Sequence, residues 1–327
     1  MADALTMVDL AVMEQRPLRK GFLMSMFKGR LPSPMDRLPV QAAKSLSQEI
    51  LRMTDPGTAN FRNLGASVSS YKATFANGIE VLKVIEDKVT LDKIYLEIDT
   101  FVQDPIAAQI RAYGDVVRAL VNDMFINGDP GADETVPAGL RYRLQNDAMF
   151  LNQSIDADGL DVDLNSTNMH KWLDFIDELI TLVGGGRPDI LIMNRQEWIR
   201  FRSILRREKL LTTGKDAFDR VVSEYDGIPF INAGQKPAGL LTSAASQQVI
   251  PNNTQTSIYN TANTTPLYAL KLGDEEGASL LQLHPLRTKK LGINTNNPAE
   301  YVIDFTWPVG FLIPQKFALG SIQGLVI

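Results

Sequence analysis

The sequence predicts an α+β fold carrying extensions that a compact domain does not need. Three observations lead there. A long one-sided helix is expected over 104–127, a period-two hairpin precedes it, and a stretch alternating helix with strand follows it. Residues 1–56 fit none of these patterns and read as an arm.

In the arm, Pro17 breaks any helix in the opening apolar stretch, and Pro32, Pro34 and Pro39 favour an extended path. Arg16, Arg19, Lys20, Lys28, Arg30 and Arg37 meet only Asp36 between positions 16 and 37. Phe22, Leu23, Met24, Met26 and Phe27 need a surface to lie on, and an arm cannot supply its own. Residues 57–100 turn to period two. Val68, Ser70, Lys72 and Thr74 alternate with Ser69, Tyr71, Ala73 and Phe75, and Asn77-Gly78 reads as the hairpin turn. Ile79, Val81, Lys83 and Ile85 lead back from it. The tip is polar, with little to bury, so its edges invite association.

The long helix starts with Asp104 as a cap and Pro105 in its first turn. Ile106, Ile110, Tyr113, Val117, Leu120 and Met124 form one apolar stripe, with Gln109, Arg111, Asp115, Arg118 and Asn122 off it. Asn127-Gly128 is expected to end it in the left-handed conformation. At about 1.5 Å per residue the rod is roughly 35 Å long. Its stripe should face strands of the same chain, and its polar side should face outward or a neighbour. After it, NGDPGADETVPAGLRYRL reads as turns returning to short strands.

An α/β region begins near Asp156. Thr167 caps a helix with Met169, Trp172, Ile176, Leu179 and Val183 on its inner side, stopped by Gly184-Gly185-Gly186. Asp189–Met193 is a buried strand, Asn194 caps a second helix with Trp198, Phe201 and Leu205 inward, and Asp226-Gly227 turns a hairpin. Residues 242–265 form a polar loop, either a disordered insertion or one ordered by neighbours. Strands resume at TPLYALKLG and ASLLQLHPL, with DEEG as a hairpin turn between them. Tyr301, Ile303, Phe305 and Trp307 mark a half-buried strand, Phe317–Ile327 adds another, and both are expected to pack beneath the long helix.

The 327 residues suffice for two domains or one large domain with extensions, and 44% hydrophobic with 22% charged residues is ordinary for a globular protein. The formal net charge of −5 argues against whole-surface binding to nucleic acid or anionic membrane. With no cysteine, disulfides, thiolate metal sites and a cysteine nucleophile are excluded. No apolar run reaches the roughly 18 residues of a membrane span, and the N-terminus lacks the order of a signal peptide. A protein made in and released into a cytoplasm is expected.

Chemistry is sparse. His170 and His284 are far apart in sequence, with no evident partners for a triad or a zinc site. GGGRPD and TTGKD fail the phosphate-loop pattern. The carboxylates of Asp156–Asp163 lack the spacing of an EF-hand and read as a solvated turn. No catalytic residue, cofactor or metal is assigned.

Collinear motifs identify a resemblance. MEQRPLRKGFLMSMF before a Pro-rich stretch is similar to the N-arm of tailed-phage major capsid proteins of the HK97-fold family. VLKVIEDKVTLDKIYLEID before a long helix ending INGDP resembles that family's extended loop and spine helix. GGRPDILIMNRQEWIRFRSILR, YDGIPFINAG and PLYALKLG look like its axial domain, and YVIDFTWPVGFLIPQKFALGSI like returning peripheral strands. The resemblance implies an N-arm (1–56), an extended loop (57–100), a peripheral domain (101–155) with its spine helix at 104–127, an axial domain (156–285) and peripheral return strands (286–327).

The function implied is a non-enzymatic shell subunit. It would assemble as pentamers and hexamers into an icosahedral head in a host bacterial cytoplasm and end in the virion. Its partners would be other copies, a portal protein, separate scaffolding and decoration proteins, and packaged double-stranded DNA contacted non-specifically, with no membrane. Arg16, Arg19, Phe22, Phe27 and Arg30 of the arm and Tyr71, Lys72, Phe75, Asn77 and Gly78 of the loop are the expected inter-subunit contacts. Some members of the family crosslink a loop lysine to a neighbour, and Lys72 is the matching loop candidate. By the same analogy, 242–265 lines the centre of the capsomer. The alternative is an encapsulin-like nanocompartment shell of the same fold, enclosing an enzyme cargo.

Overall fold

The computed structural model describes residue 6 and residues 32–55, 57–68, 70–94, 105–162, 166–184, 187–215, 219–237, 247–259, 261–294 and 297–327. In chain order the elements are α1 (Pro34–Arg37), β1 (Val40–Ala42), β2 (Ser47–Asp55), β3 (Thr74–Val81), β4 (Lys83–Asp92) and α2 (Pro105–Asn127). Then come α3 (Leu140–Asn146), β5 (Ser154–Asp156), α4 (Ser166–Leu182), β6 (Ile190–Met193), α5 (Arg195–Arg207), β7 (Thr212–Lys215), β8 (Val221–Tyr225) and β9 (Ile228–Asn232). The chain closes with β10 (Thr265–Leu270), β11 (Ser279–Gln282), β12 (Arg287–Ile293), β13 (Glu300–Leu312) and β14 (Leu319–Leu325).

Three sheets result. A five-stranded sheet is centred on β13, which pairs with β12, β11 and β4, while β1 extends it beyond β11. A seven-stranded sheet has the order β5-β14-β10-β6-β9-β8-β7. β2 and β3 form a two-stranded ribbon of their own.

The stripe of α2 rests on the face of β13 that carries Ile303, Phe305 and Trp307. The Tyr113 ring lies 4.8 Å from that of Phe305, and Phe125 meets Phe311 edge-on at 5.0 Å. Of the expected outward polar side, Gln109 and Arg111 are exposed, whereas α1 covers Arg118 and Asn122. Asn122 Oδ1 accepts the Met35 N–H at 3.1 Å, and the Arg118 guanidinium reaches Asp36 at 3.1 Å. Asp36, almost fully buried, also pairs with Arg220 at 3.0 Å. One carboxylate therefore joins α1 to the long helix and to the entry of β8. The Pro-rich stretch expected to be extended makes this turn of helix because Pro34 stands at its first position and Ser33 and Asp36 form a reciprocal cap.

Asn127-Gly128 is not left-handed, since neither residue is among those with positive φ. α2 ends by a close approach of backbones. A Cβ on Gly128 would stand 2.2 Å from the Pro137 carbonyl oxygen, and one on Gly139 would stand 2.6 Å from the Gly128 nitrogen. These neighbours are backbone and cannot swing away, so Gly128→Ala is expected to cost about 1–3 kcal/mol in a thermal or urea melt. Residues 140–146, expected as strand, form α3. Leu140 and Leu144 recur at helical spacing and are buried with the core below α2.

In the seven-stranded sheet, β6 is buried on both faces. Ile190 and Ile192 join the core shared with α2, whereas Leu191 and Met193 face α4 and α5. Trp172 of α4 and Phe201 of α5 meet there at 5.3 Å. Asp226 and Gly227 both have positive φ, as the expected tight turn requires. Gly184 also has positive φ just after α4, while Gly185 and Gly186 lie outside the described residues, as does the expected cap Asp104. DEEG is not a hairpin turn: β10 and β11 belong to different sheets, and this passage carries the chain from one to the other. β14, expected beneath the long helix, pairs with β10 and β5 in the seven-stranded sheet.

The polar loop is packed by its own chain from 247 onward. Val249 and Ile250 are fully buried, and Gln248 bridges to Gln235. Residues 242–246 lie outside the described ones.

α5 starts as expected at Asn194, whose Oδ1 accepts the Gln196 N–H at 2.7 Å, while the Asn194 N–H donates to Glu197 Oε2 at 2.8 Å. Burial pushes the Glu197 carboxyl up to about 8, and the Asn194 hydrogen bond only partly offsets this. A carboxyl with a raised folded pKa binds its proton more tightly in the native state, so stability falls as pH rises from the unfolded carboxyl range toward 8. Glu197→Gln keeps the capping acceptor without the charge. It is expected to flatten that decline, whose limiting slope is about 1.4 kcal/mol per pH unit, in melts recorded from pH 5 to 8.5.

Candidate assembly interface

β2 and β3 pair antiparallel from Ser47↔Val81 to Asp55↔Thr74. Asn77-Gly78 is therefore mid-strand, opposite Leu51 and Ile50, and is not the turn the sequence predicts. The connection is the longer loop 57–73, whose base closes at Gly57. There φ is +72°, and a Cβ would stand 2.5 Å from the Lys72 carbonyl oxygen. Local turn chemistry at Asn77-Gly78 yields to eight cross-strand pairs with 47–55, a segment that sequence reading places in the arm.

Cross-strand partners share a face, which gives the ribbon two unlike sides. On one side lie Leu51, Met53, Phe75, Ile79 and Val81, with Asn77 and Glu49 between them. These five apolar side chains are 39% to 62% exposed, an arrangement costly in an isolated molecule. In the loop beyond, Phe61 and Leu64 have no cover at all, and Tyr71 and Lys72 are exposed.

The other side is anchored. Arg52 lies across Gly78, where a Cβ would stand 2.9 Å from its Nε. Its guanidinium pairs with Glu80 at 2.7 Å and with Asp147 at 3.2 Å. Arg143 of α3 holds both oxygens of Glu80, at 2.5 and 2.7 Å, and donates to the Phe311 carbonyl at 3.1 Å. Glu80 and Arg143 are buried. Two arginines and two carboxylates thus fix the root of the ribbon to α3 and β13, and Leu82 beside it joins a small apolar cluster with Leu281 and Leu312.

Of the contacts expected from sequence, Phe75 and Asn77 share the exposed apolar side, Gly78 lies on the anchored side, and Tyr71 and Lys72 are in the loop. Arg16, Arg19, Phe22, Phe27 and Arg30 lie outside the described residues. Sequence reading missed Leu51, Met53, Ile79 and Val81 as one surface, together with the root residues Arg52, Glu80, Arg143 and Asp147. The alternation in SQEILRMTD was the available signal, because it matches the odd-numbered apolar set of β3 once the strands pair.

Among the described residues, no three or more His, Asp or Glu side chains are grouped to hold a metal. Asp156 Oδ1 accepts the Asp158 N–H at 3.0 Å, which makes that acidic stretch a turn. No helix among the described residues is long and apolar enough to cross a membrane.

No family model matches the sequence, and no curated protein matches it. Solved structures do match in fold. The SrpI encapsulin of Synechococcus elongatus PCC 7942, solved as a holo complex, has a TM-score of 0.60 at 14% identity, over 99% of this chain and 92% of that one. The capsid of a native GTA particle has a TM-score of 0.57 at 13% identity, over 92% and 93% of the two chains. Mycobacterium phage Ogopogo gives 0.54 at 14% identity, over 91% and 93%. The chain has the fold shared by these capsid and encapsulin shells, the HK97 fold.

Proposed function

We propose that the protein is a non-enzymatic major capsid subunit that assembles with its own copies, as pentamers and hexamers, into an icosahedral phage head enclosing double-stranded DNA. The observation that carries this reading is the ribbon. It is anchored by a buried ion network on one side and leaves five apolar side chains largely exposed on the other. A rigid projection with an unsatisfied apolar side stabilises an assembly in which a neighbour covers it, and many modest contacts of this kind add up in a closed shell. Tyr71, Lys72, Phe75, Asn77 and Gly78, with the arm residues Arg16, Arg19, Phe22, Phe27 and Arg30, are the proposed contact set. A portal protein and separate scaffolding or decoration proteins complete the proposed partners, and assembly takes place in the host cytoplasm. Electron microscopy of the purified protein, alone and co-expressed with neighbouring genes, is expected to show closed shells. Protein that stays monomeric at high concentration in every such preparation overturns the reading.

A second reading is a nanocompartment shell enclosing a protein cargo. The fold match to an encapsulin along nearly the whole chain favours it. Contents decide between the two: nuclease-protected double-stranded DNA for a head, a co-purifying enzyme for a compartment.

A further inference from the structure

We propose that the outer face of α5 docks into an acid-rimmed pocket beside α4 of a second copy of this chain, making a head-to-tail contact between neighbouring seven-stranded sheets. This rests on the shell reading and supplies it with a defined contact.

α5 turns Phe201, Ile204 and Leu205 into the core. Steps of four, three and four then place Arg195, Ile199, Arg202 and Arg206 on its outer side. Ile199 is 44% exposed in the middle of this stripe, and Arg195 and Arg206 are exposed at either end. Arg202 is held over the Trp198 ring at 5.2 Å. Glu197, the acidic residue within the helix, is fully buried and does not offset these charges. Arg195 stands in the first turn, where the helix dipole disfavours a cation, so helix stability alone does not account for it. An isoleucine set among guanidinium groups is a poor solvent face and a good plug for an apolar pocket with an acidic rim.

The same chain carries such a pocket. It measures about 450 Å³ and lies between α4 and the turn after β5. Leu160 and Phe175 supply apolar wall, Asp158, Asp174 and Glu178 the acidic rim, and Lys171 a single cation. α4 packs over β14 and β5, whereas α5 packs over β9, with β10 and β6 between them in the sheet. The two patches are unlike and opposite in charge, and they lie on different helices of one subunit, which touch at Trp172 and Phe201. A heterologous contact needs this arrangement, and such a contact closes into a ring when the rotation between copies allows. The apolar residue within the stripe, and the matching pocket, favour a protein partner over a nucleic acid backbone, which would be met by cations alone.

The test compares full-length parent with Arg195→Glu/Arg206→Glu, with Asp174→Arg/Glu178→Arg, with all four changes combined, and with Ile199→Asp. Particle yield is read by gradient sedimentation and electron microscopy, with thermal melts and circular dichroism to confirm folding. Each two-residue reversal and Ile199→Asp is expected to lower yield about tenfold or more while the subunit stays folded, and the combined reversal to recover most of the loss. The contact is overturned if the parent assembles and the folded single-patch variants assemble equally well, or if the combined reversal is no better than either part. It is also overturned, in favour of a nucleic-acid face, if Arg195→Glu/Arg206→Glu assembles normally but loses duplex DNA binding shown by the parent. A parent that never assembles overturns the shell reading itself.

Discussion

Leu51→Asp combined with Ile79→Asp is expected to leave a folded subunit that no longer forms shells. Both side chains are more than 60% exposed, so the folding cost of each change is about 0.5 kcal/mol or less and the melting temperature should barely move. In the proposed shell the same positions lie under a neighbour. Burying an uncompensated carboxylate there costs several kcal/mol for each ion, repeated in every subunit. Particle yield on a gradient should therefore collapse while circular dichroism and melting stay those of the parent; normal shells from this variant would remove the ribbon from the assembly interface. Replacing loop 57–73 by an Asn-Gly turn is the companion experiment. It spares all of β2 and β3, whereas a deletion that reached position 78 would remove more than half of β3.

Glu80→Ala has the opposite signature. Glu80 is the shared anion between Arg52 and Arg143, whose side chains are 13% and 4% exposed. Removing it leaves two guanidinium groups facing each other out of water, with Asp147 able to neutralise only one. Breaking one partner out of a buried ion cluster typically costs about 3–5 kcal/mol, so the subunit itself should melt roughly 5–15 °C lower. Arg143→Met removes a cation and keeps Glu80 paired with Arg52, and is expected to be milder than Glu80→Ala. A melting curve for Glu80→Ala matching the parent would show that the cluster does not hold the ribbon root. Together the two experiments separate the two sides of one ribbon: one side is proposed to act between molecules, the other acts within one.

The parts of the fold legible in the sequence are those decided locally. The cap of α5 needs only Asn194 and Glu197 three residues on, and the turn at Asp226-Gly227 needs only two residues that accept positive φ. The stripe of α2 is a property of its own spacing, and its contact with Phe305 follows from burial. What could not be read depends on partners distant in the chain. Asn77-Gly78 has the chemistry of a turn but is kept extended by pairing with 47–55. β14 looks like any half-buried strand, and nothing in LGSIQGL says which of two sheets will receive it. Arg118 and Asn122 read as solvent-facing because a periodicity cannot reveal that α1 will cover them. The proposed contact surface was legible in part for the same reason: Phe75 lies in a segment with a visible pattern, whereas Leu51 and Met53 join it only through register.

Both large sheets are completed by strands far along the chain from their partners. β13 joins β4, β11 and β12, and β14 joins β10 to β5. During synthesis β4 therefore waits for β13 and β5 for β14, each separated from its partner by a long stretch of chain. The pairing of Val40 with Leu280 likewise joins residues far apart in the chain. Both sheets thus depend on pairings of high sequence separation, which close late in folding. A subunit in which β13 and β14 are not yet placed has neither large sheet complete, so in the proposed shell it has no finished surface to offer another copy.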